Sequence, residues 1–313
     1  KEAERQPLLL VWEDIHWIDP SSLELVQMFF DQVAHARMLI LLTARPEFSP
    51  PWKPSPHVTH TTLSRLDAQQ VAEMITGIVG DTAVPPAVVR QIVSKTDGVP
   101  LFVEEMTRMV AEAAETQGPN ALASLTIPDT LQDLLMARVD RLGTAKEIAQ
   151  LGATIGRGFA YELIKTVSSI DESRLQTELG RLVEADALHQ RGTVPEAQYT
   201  FKQALIQDSA YQALLKSTRQ NYHKQIATAL EQHFGETVET QPELVAHHYT
   251  EAGLSTEAIA YWLRAGQRAV KHSANLEAIE HYTAGLKIVD TLPESPERNQ
   301  QELVLLVSSG VPL

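Results

Sequence analysis

The chain has 313 residues, with 26 Lys and Arg against 40 Asp and Glu, a formal charge of −14. That acidity argues against a protein held on nucleic acid by phosphate contacts, or on an anionic membrane surface by basic patches. The chain has no cysteine, which excludes disulfides and thiolate zinc sites and fits a reducing, cytoplasmic setting, and no apolar run approaches the roughly 20 residues of a membrane-spanning helix.

The charge is spread as −7 over residues 1–120, −3 over 121–215 and −4 over 216–313, so no segment is a basic arm or an acidic tail. The length is a prior for two or three domains. Residues 49–56, 117–123 and 292–296 punctuate the pattern as candidate linkers, because proline fixes φ and removes a donor. Composition and pattern divide the chain into 1–63, 64–120, 121–215 and 216–313. It opens at Lys1 without an initiator Met or a signal pattern, as expected for a piece of a longer protein.

The first predicted element is an apolar strand at residues 8–12, followed by the acids Glu13 and Asp14. Asp19-Pro20-Ser21-Ser22 is a helix start with Asp19 or Ser21 as cap, and Leu23, Val26, Phe29, Phe30 and Val33 recur at helical spacing. A second apolar strand at 38–42 ends in Thr43-Ala44-Arg45-Pro46, and a third is expected at 58–63. Strand, helix, strand makes a βαβ unit, whose strands are expected to be parallel and buried on both faces.

Residues 68–78, 86–94 and 102–114 have helical periodicity, broken between the last two by Gly98 and Pro100. A helix with Asp129 as its expected cap carries Leu131, Leu134, Leu135, Val139 and Leu142 on one face. Further helices are expected at 145–155, 161–167 and 172–185, with 156–158 as a turn. Residues 188–191 and 198–201 flank Gly192 as a small hairpin. Helices followed by a hairpin are the parts of a winged helix, and its interspersed charges favour a packing or autoinhibitory role over DNA reading.

From residue 203 onward the pattern is helical: 203–215, 218–233, 243–252, 256–273 and 276–291. Glu257-Ala258-Ile259 recurs as Glu277-Ala278-Ile279 after 20 residues, with Trp262 matched by Tyr282 and Ala265 by Gly285. Small residues let helices approach and aromatics fill the adjoining gap, as in tetratricopeptide-type pairing, although that repeat has a period of about 34. His247 and His248, with His272 and His281, read as surface and packing histidines, since neighbours on a helix point about 100° apart and do not share one ion easily. A new apolar helix begins near residues 303–307, so the solenoid is expected to continue.

In α/β sheets ligands sit beyond the carboxyl ends of the strands, where Glu13, Asp14, Thr43 and Arg45 fall. Two adjacent carboxylates there suit Mg²⁺ held through water and phosphate oxygens, and the positioning of an attacking water. Thr43 and Arg45 are placed to face a phosphate, with Arg as its charged fork. The plain alternative is that these acids solvate a loop.

These residues carry a resemblance. LLLVWEDIHWIDP at 8–20, followed by SSLEL and then LILLTARPEF at 39–48, resembles the Walker B and sensor-1 region of STAND-type, AAA-like ATPase modules. Such modules occur in multidomain class III adenylate/guanylate cyclases and in some large bacterial transcription regulators and kinases. The resemblance continues through residues 63–66, TDGVPLFVEEM at 96–106, IPDTLQDLLMARVDRL at 127–142, and residues 199–223 and 242–253, nearly the whole chain.

The resemblance implies a mainly α fold with an α/β part. Residues 1–63 are then a partial P-loop ATPase core, 64–120 a helical lid, 121–215 a winged helix and 216–313 TPR-like helical repeats. It also implies ATP and Mg²⁺ as cofactors. Glu13 takes the place of the Walker B acid near Mg²⁺, Asp14 of the acid that orients water, and Arg45 of the sensor-1 arginine near the γ-phosphate. Gly98-Val99-Pro100 matches the GxP motif of the lid, with Pro100 near the adenine, and His16, Trp17 and Asp19 match the HWxD signature. A metal-ligand role for His16 has no second histidine at zincin spacing to support it.

One departure stands out: G-x-x-x-x-G-K-[ST] is absent, and no Gly-Lys dipeptide occurs in the chain. Without that cradle the β- and γ-phosphates lack their main ligands, so the chain is expected to begin after the P-loop and not to bind ATP tightly alone. Three functions are therefore expected to compete. The first is an ATP-dependent signalling switch of a cyclase-type protein, whose helical repeats sense a protein partner without contacting nucleic acid or membrane. The others are a non-catalytic interaction scaffold and the ATPase core of a transcription regulator.

Overall fold

A computed structural model describes residues 5–33, 36–53, 55–80, 84–117 and 128–310. The expected linker at 117–123 lies almost wholly outside them. The described residues are mainly helical, with two small sheets. Strand β1 (Leu8–Trp12) leads through a 3₁₀ turn (Ile15–Trp17) to α1 (Pro20–Val33) and β2 (Met38–Leu42). Helices α2 (Ala68–Val79), α3 (Pro86–Thr96), α4 (Pro100–Gln117), α5 (Leu131–Arg141) and α6 (Ala145–Ile155) follow. Then come β3 (Gly158–Ala160), α7 (Tyr161–Val167), α8 (Glu172–Glu184), β4 (Leu188–Arg191) and β5 (Gln198–Phe201). The chain continues as α9 (Ala204–Gln212), α10 (Lys216–His233), α11 (Gly235–Thr240), α12 (Pro242–Ala252), α13 (Ser255–Lys271), α14 (Asn275–Val289) and α15 (Pro296–Ser309).

The chain forms two compact units, Lys1–Thr61 with Phe234–Leu313, and Thr62–His233. In the first, β1 and β2 pair in parallel from Leu8 with Met38 to Trp12 with Leu42, so the expected βαβ unit is present. Asp19 caps α1, its Oδ1 accepting the Ser22 N–H at 2.8 Å and its carbonyl the Leu23 N–H. Two expectations fail here. Residues 58–63 form no strand: that stretch has no ladder partner and runs as irregular chain. Nor is the sheet buried on both faces, because Leu9 (59%), Val11 (47%), Leu39 (64%) and Leu41 (52%) are exposed while their alternating neighbours are half-buried. The period-2 pleat sends α1 to one face only. The proline-rich loop is tacked onto α1 by Trp52, which stacks on Phe30 at 4.4 Å.

The helices α13, α14 and α15 share a core of Ile259, Ala269, Ala278, Tyr282, Val289 and Leu305. The aromatics do fill gaps opened by small residues. The Tyr282 ring lies where a Cβ on Gly266 would stand, and Trp262 and Leu305 close over Gly285. Trp262 is fixed by its indole N–H donating to Thr250 at 3.0 Å. Helix α15 begins at Pro296 behind a Ser295 cap, seven residues before the apolar run that marks it in the sequence.

In the second unit, Val71, Ile75, Ile92, Val103, Met106, Val110 and Leu134 gather α2, α3, α4 and α5 around one core. Asp67 and Gln70 make a reciprocal capping box at the start of α2. The cap of α5 is Thr130, whose hydroxyl accepts the Asp133 N–H; the expected cap Asp129 instead pairs with Lys95 at 2.7 Å. The hairpin of β4 and β5 forms as expected, but β5 also pairs antiparallel with β3, so Gly158, expected in a turn, opens a strand. Phe159, Tyr199 and Phe201 pack as an aromatic cluster on this sheet.

Candidate site at the strand ends

The parallel pairing of β1 and β2 brings Glu13 and Asp14 beside Thr43 and Arg45 at one sheet edge. Three hydrogen bonds clamp the edge. Thr43 N–H donates to the Trp12 carbonyl at 3.0 Å, Ile15 N–H donates to the Thr43 carbonyl at 2.9 Å, and Asp14 N–H donates to Thr43 Oγ1 at 3.0 Å. Asp14 itself has φ +56°, the left-handed conformation that Asp tolerates better than most residues. The left-handed step bends the chain from β1 into the 3₁₀ turn. All four residues are exposed.

Thr43 thus acts first as the brace of the acidic turn. Its acceptor side is taken by Asp14, which leaves its hydroxyl proton to donate. The Arg45 guanidinium lies 5.9 Å from the ring of the exposed Trp17, within cation–π range. The neighbouring His16 ring stands 5.2 Å from Trp17, and both its nitrogens are shielded without a hydrogen-bond partner among the described residues. Asp19 is exposed but loses some solvation at the helix start, which alone would raise its pKa; hydrogen bonds from the Ser22 hydroxyl and N–H hold it below the usual value.

The donor set at this edge is the neighbouring, exposed carboxylates of Glu13 and Asp14. No group of three or more His, Asp or Glu able to enclose an ion exists among the described residues. Two exposed neighbouring carboxylates suit an ion that keeps its waters and shares phosphate oxygens.

Gly98 and Pro100 belong to the second unit. Gly98 has φ +69°, and a Cβ there would overlap the Leu66 carbonyl, while its own carbonyl accepts the Leu66 N–H at 2.8 Å. Pro100 opens α4, where its missing N–H is no loss. The turn is therefore required by packing, whatever else approaches it.

Two polar arrangements were not legible in the sequence. A cleft of about 150 Å³ is lined by Glu105, Arg108, Glu112, Arg138, Arg141 and Asp186. Its charges pair with one another: Arg138 with Glu105 at 2.5 Å, Arg108 with Asp186 at 3.1 Å, and Arg141 with Glu112 at 3.3 Å. The cleft is an ion-pair network joining α4, α5 and the α8–β4 turn. The second arrangement is the contact of Glu277 with the start of α1, where Oε1 accepts the Ser21 N–H at 2.9 Å. The repeated Glu-Ala-Ile marks Glu277 as periodic, but not as a link to a helix 256 residues earlier.

No family model matches the chain. An uncharacterized protein of Rhizobium meliloti (strain 1021) is 27% identical to it over 311 residues, 98% of this chain. The chain spans 30% of that relative's length. The similarity carries no activity across.

Proposed function

We propose that the chain supplies the acidic strand ends and the regulatory helices of an ATP-binding signalling module. The module is of the STAND, AAA-like type found in multidomain class III cyclases. The observation that carries this reading is the pairing of Glu13-Asp14 with Thr43-Arg45 at the carboxyl edge of two parallel strands. In that module Glu13 and Asp14 would hold Mg²⁺ through water, Asp14 would orient the attacking water, and Arg45 would meet the γ-phosphate. Mg²⁺ supplies neutralisation of phosphate charge when bound. Gly98 and Pro100 belong to the lid. The sheet of β3, β5 and β4 with its flanking helices supports a winged helix in the second unit. The interdigitated helices α13–α15 support TPR-like repeats that receive a protein partner. Among the described residues no helix is long and apolar enough to cross a membrane.

The lack of any Gly-Lys dipeptide favours a second reading, a non-catalytic interaction scaffold. The readings separate in the protein made from the longest open reading frame that contains these residues. MgATP raises its thermal midpoint if the site is completed by a phosphate cradle. An unchanged midpoint at saturating MgATP leaves the scaffold, while the 313-residue chain alone responds weakly in either case.

A further inference from the structure

Glu277 stands in the first turn of α14, next to the fully buried Ala278. Its Oε1 accepts the N–H of Ser21, which belongs to the first turn of α1. Asp19 closes the same turn, its Oδ1 accepting the Ser22 N–H at 2.8 Å. A carboxylate from the helical repeats therefore occupies the positive end of α1, where an anion is stabilised by the helix dipole and by otherwise unused N–H groups. The 3₁₀ turn that follows Asp14 ends at Trp17, and α1 begins at Pro20, so the first turn of α1 lies a few residues from the acidic strand end.

We propose that Glu277 is a latch by which the helical repeats hold the turn between the acidic strand end and α1. Val26 on α1 and Ala278 with Tyr282 on α14 are buried beside the contact. A partner that engages the start of α14 releases the turn, and one that grips the repeats without touching Glu277 leaves it closed. The latch itself does not depend on the ATP reading; only its use as a nucleotide control does.

Hydrogen exchange of the 313-residue chain tests it. Glu277→Ala is expected to speed exchange of amides 21–25 by roughly five- to tenfold, with the Thr62–His233 unit unchanged. Glu277→Gln keeps an amide oxygen as acceptor for the Ser21 N–H, so wild-type protection is retained. Glu280→Ala removes the same charge one turn away and changes nothing at 21–25. Unchanged exchange in Glu277→Ala, or equal loosening in all three variants, overturns the latch. Failure of the parent protein to bind ATP alters none of these outcomes, so the two readings fail separately.

Discussion

The Glu105 carboxylate is only 4% exposed and rests on Arg138, which also donates to the Ala185 carbonyl at 2.5 Å. Removing the arginine strands a buried charge, so Arg138→Ala is expected to cost about 3 kcal/mol in urea unfolding. Replacing both partners by apolar residues costs less than Arg138→Ala alone, because no charge is then left unpaired. Asp186, on the same network, is partly buried, which would raise its pKa. The Lys202 ammonium at 2.5 Å, with Arg108 and Arg138, instead holds it below the ordinary carboxylate value. A value lower in the folded state means stability that is present above the unfolded value and lost as pH falls through the folded one. The thermal midpoint of the Thr62–His233 unit should therefore drop as pH falls below about 4. Asp186→Asn, which tolerates the φ of +59° there, should be less stable at neutral pH and show a flatter acid slope.

At the scale of elements, the fit of α13 to α14 rests on Gly266, because the Tyr282 ring occupies the place of its Cβ. Alanine is the better helix former by about 1 kcal/mol, yet Gly266→Ala is expected to lower the thermal midpoint. Overpacking of this kind costs about 1–3 kcal/mol. Tyr282→Leu in that background should recover part of the loss, and a stabilised Gly266→Ala would show that the helices do not approach as described. Helices were legible because their apolar periodicity is local, as with Leu134, Leu135 and Val139 on α5. The small strands were not. β3 is three residues whose strand character comes from its partner β5, and residues 58–63 have strand-forming composition but no partner. The sheet faces were misread for a related reason: an apolar run specifies a strand without specifying what covers each face. At the site, the residue types at the strand ends were legible. The Thr43 brace and the Glu277 contact were not, since both arise from distant segments meeting in space.

At the scale of the whole molecule, the charge of −14 is distributed along the whole sequence rather than gathered in one segment. The first unit joins Lys1–Thr61 to Phe234–Leu313, and the Glu277 contact with Ser21 ties its βαβ part to its helical part. His281 in that helical part is shifted the other way from a paired histidine: burial lowers its pKa more than Glu243, Glu280 and Glu277 raise it. Its neutral form is favoured by folding, so stability should decline as pH falls below about 6.5. Helix content followed by circular dichroism should show that decline, and His281→Phe should remove it. Calorimetric titration of MgATP into the protein from the longest reading frame containing this chain tests the proposed nucleotide site most directly. Saturable binding is predicted, weakened about tenfold or more by Arg45→Ala through loss of a charge-assisted contact. No binding in the unaltered protein, or binding indifferent to both Arg45→Ala and Glu13→Gln, would contradict the account.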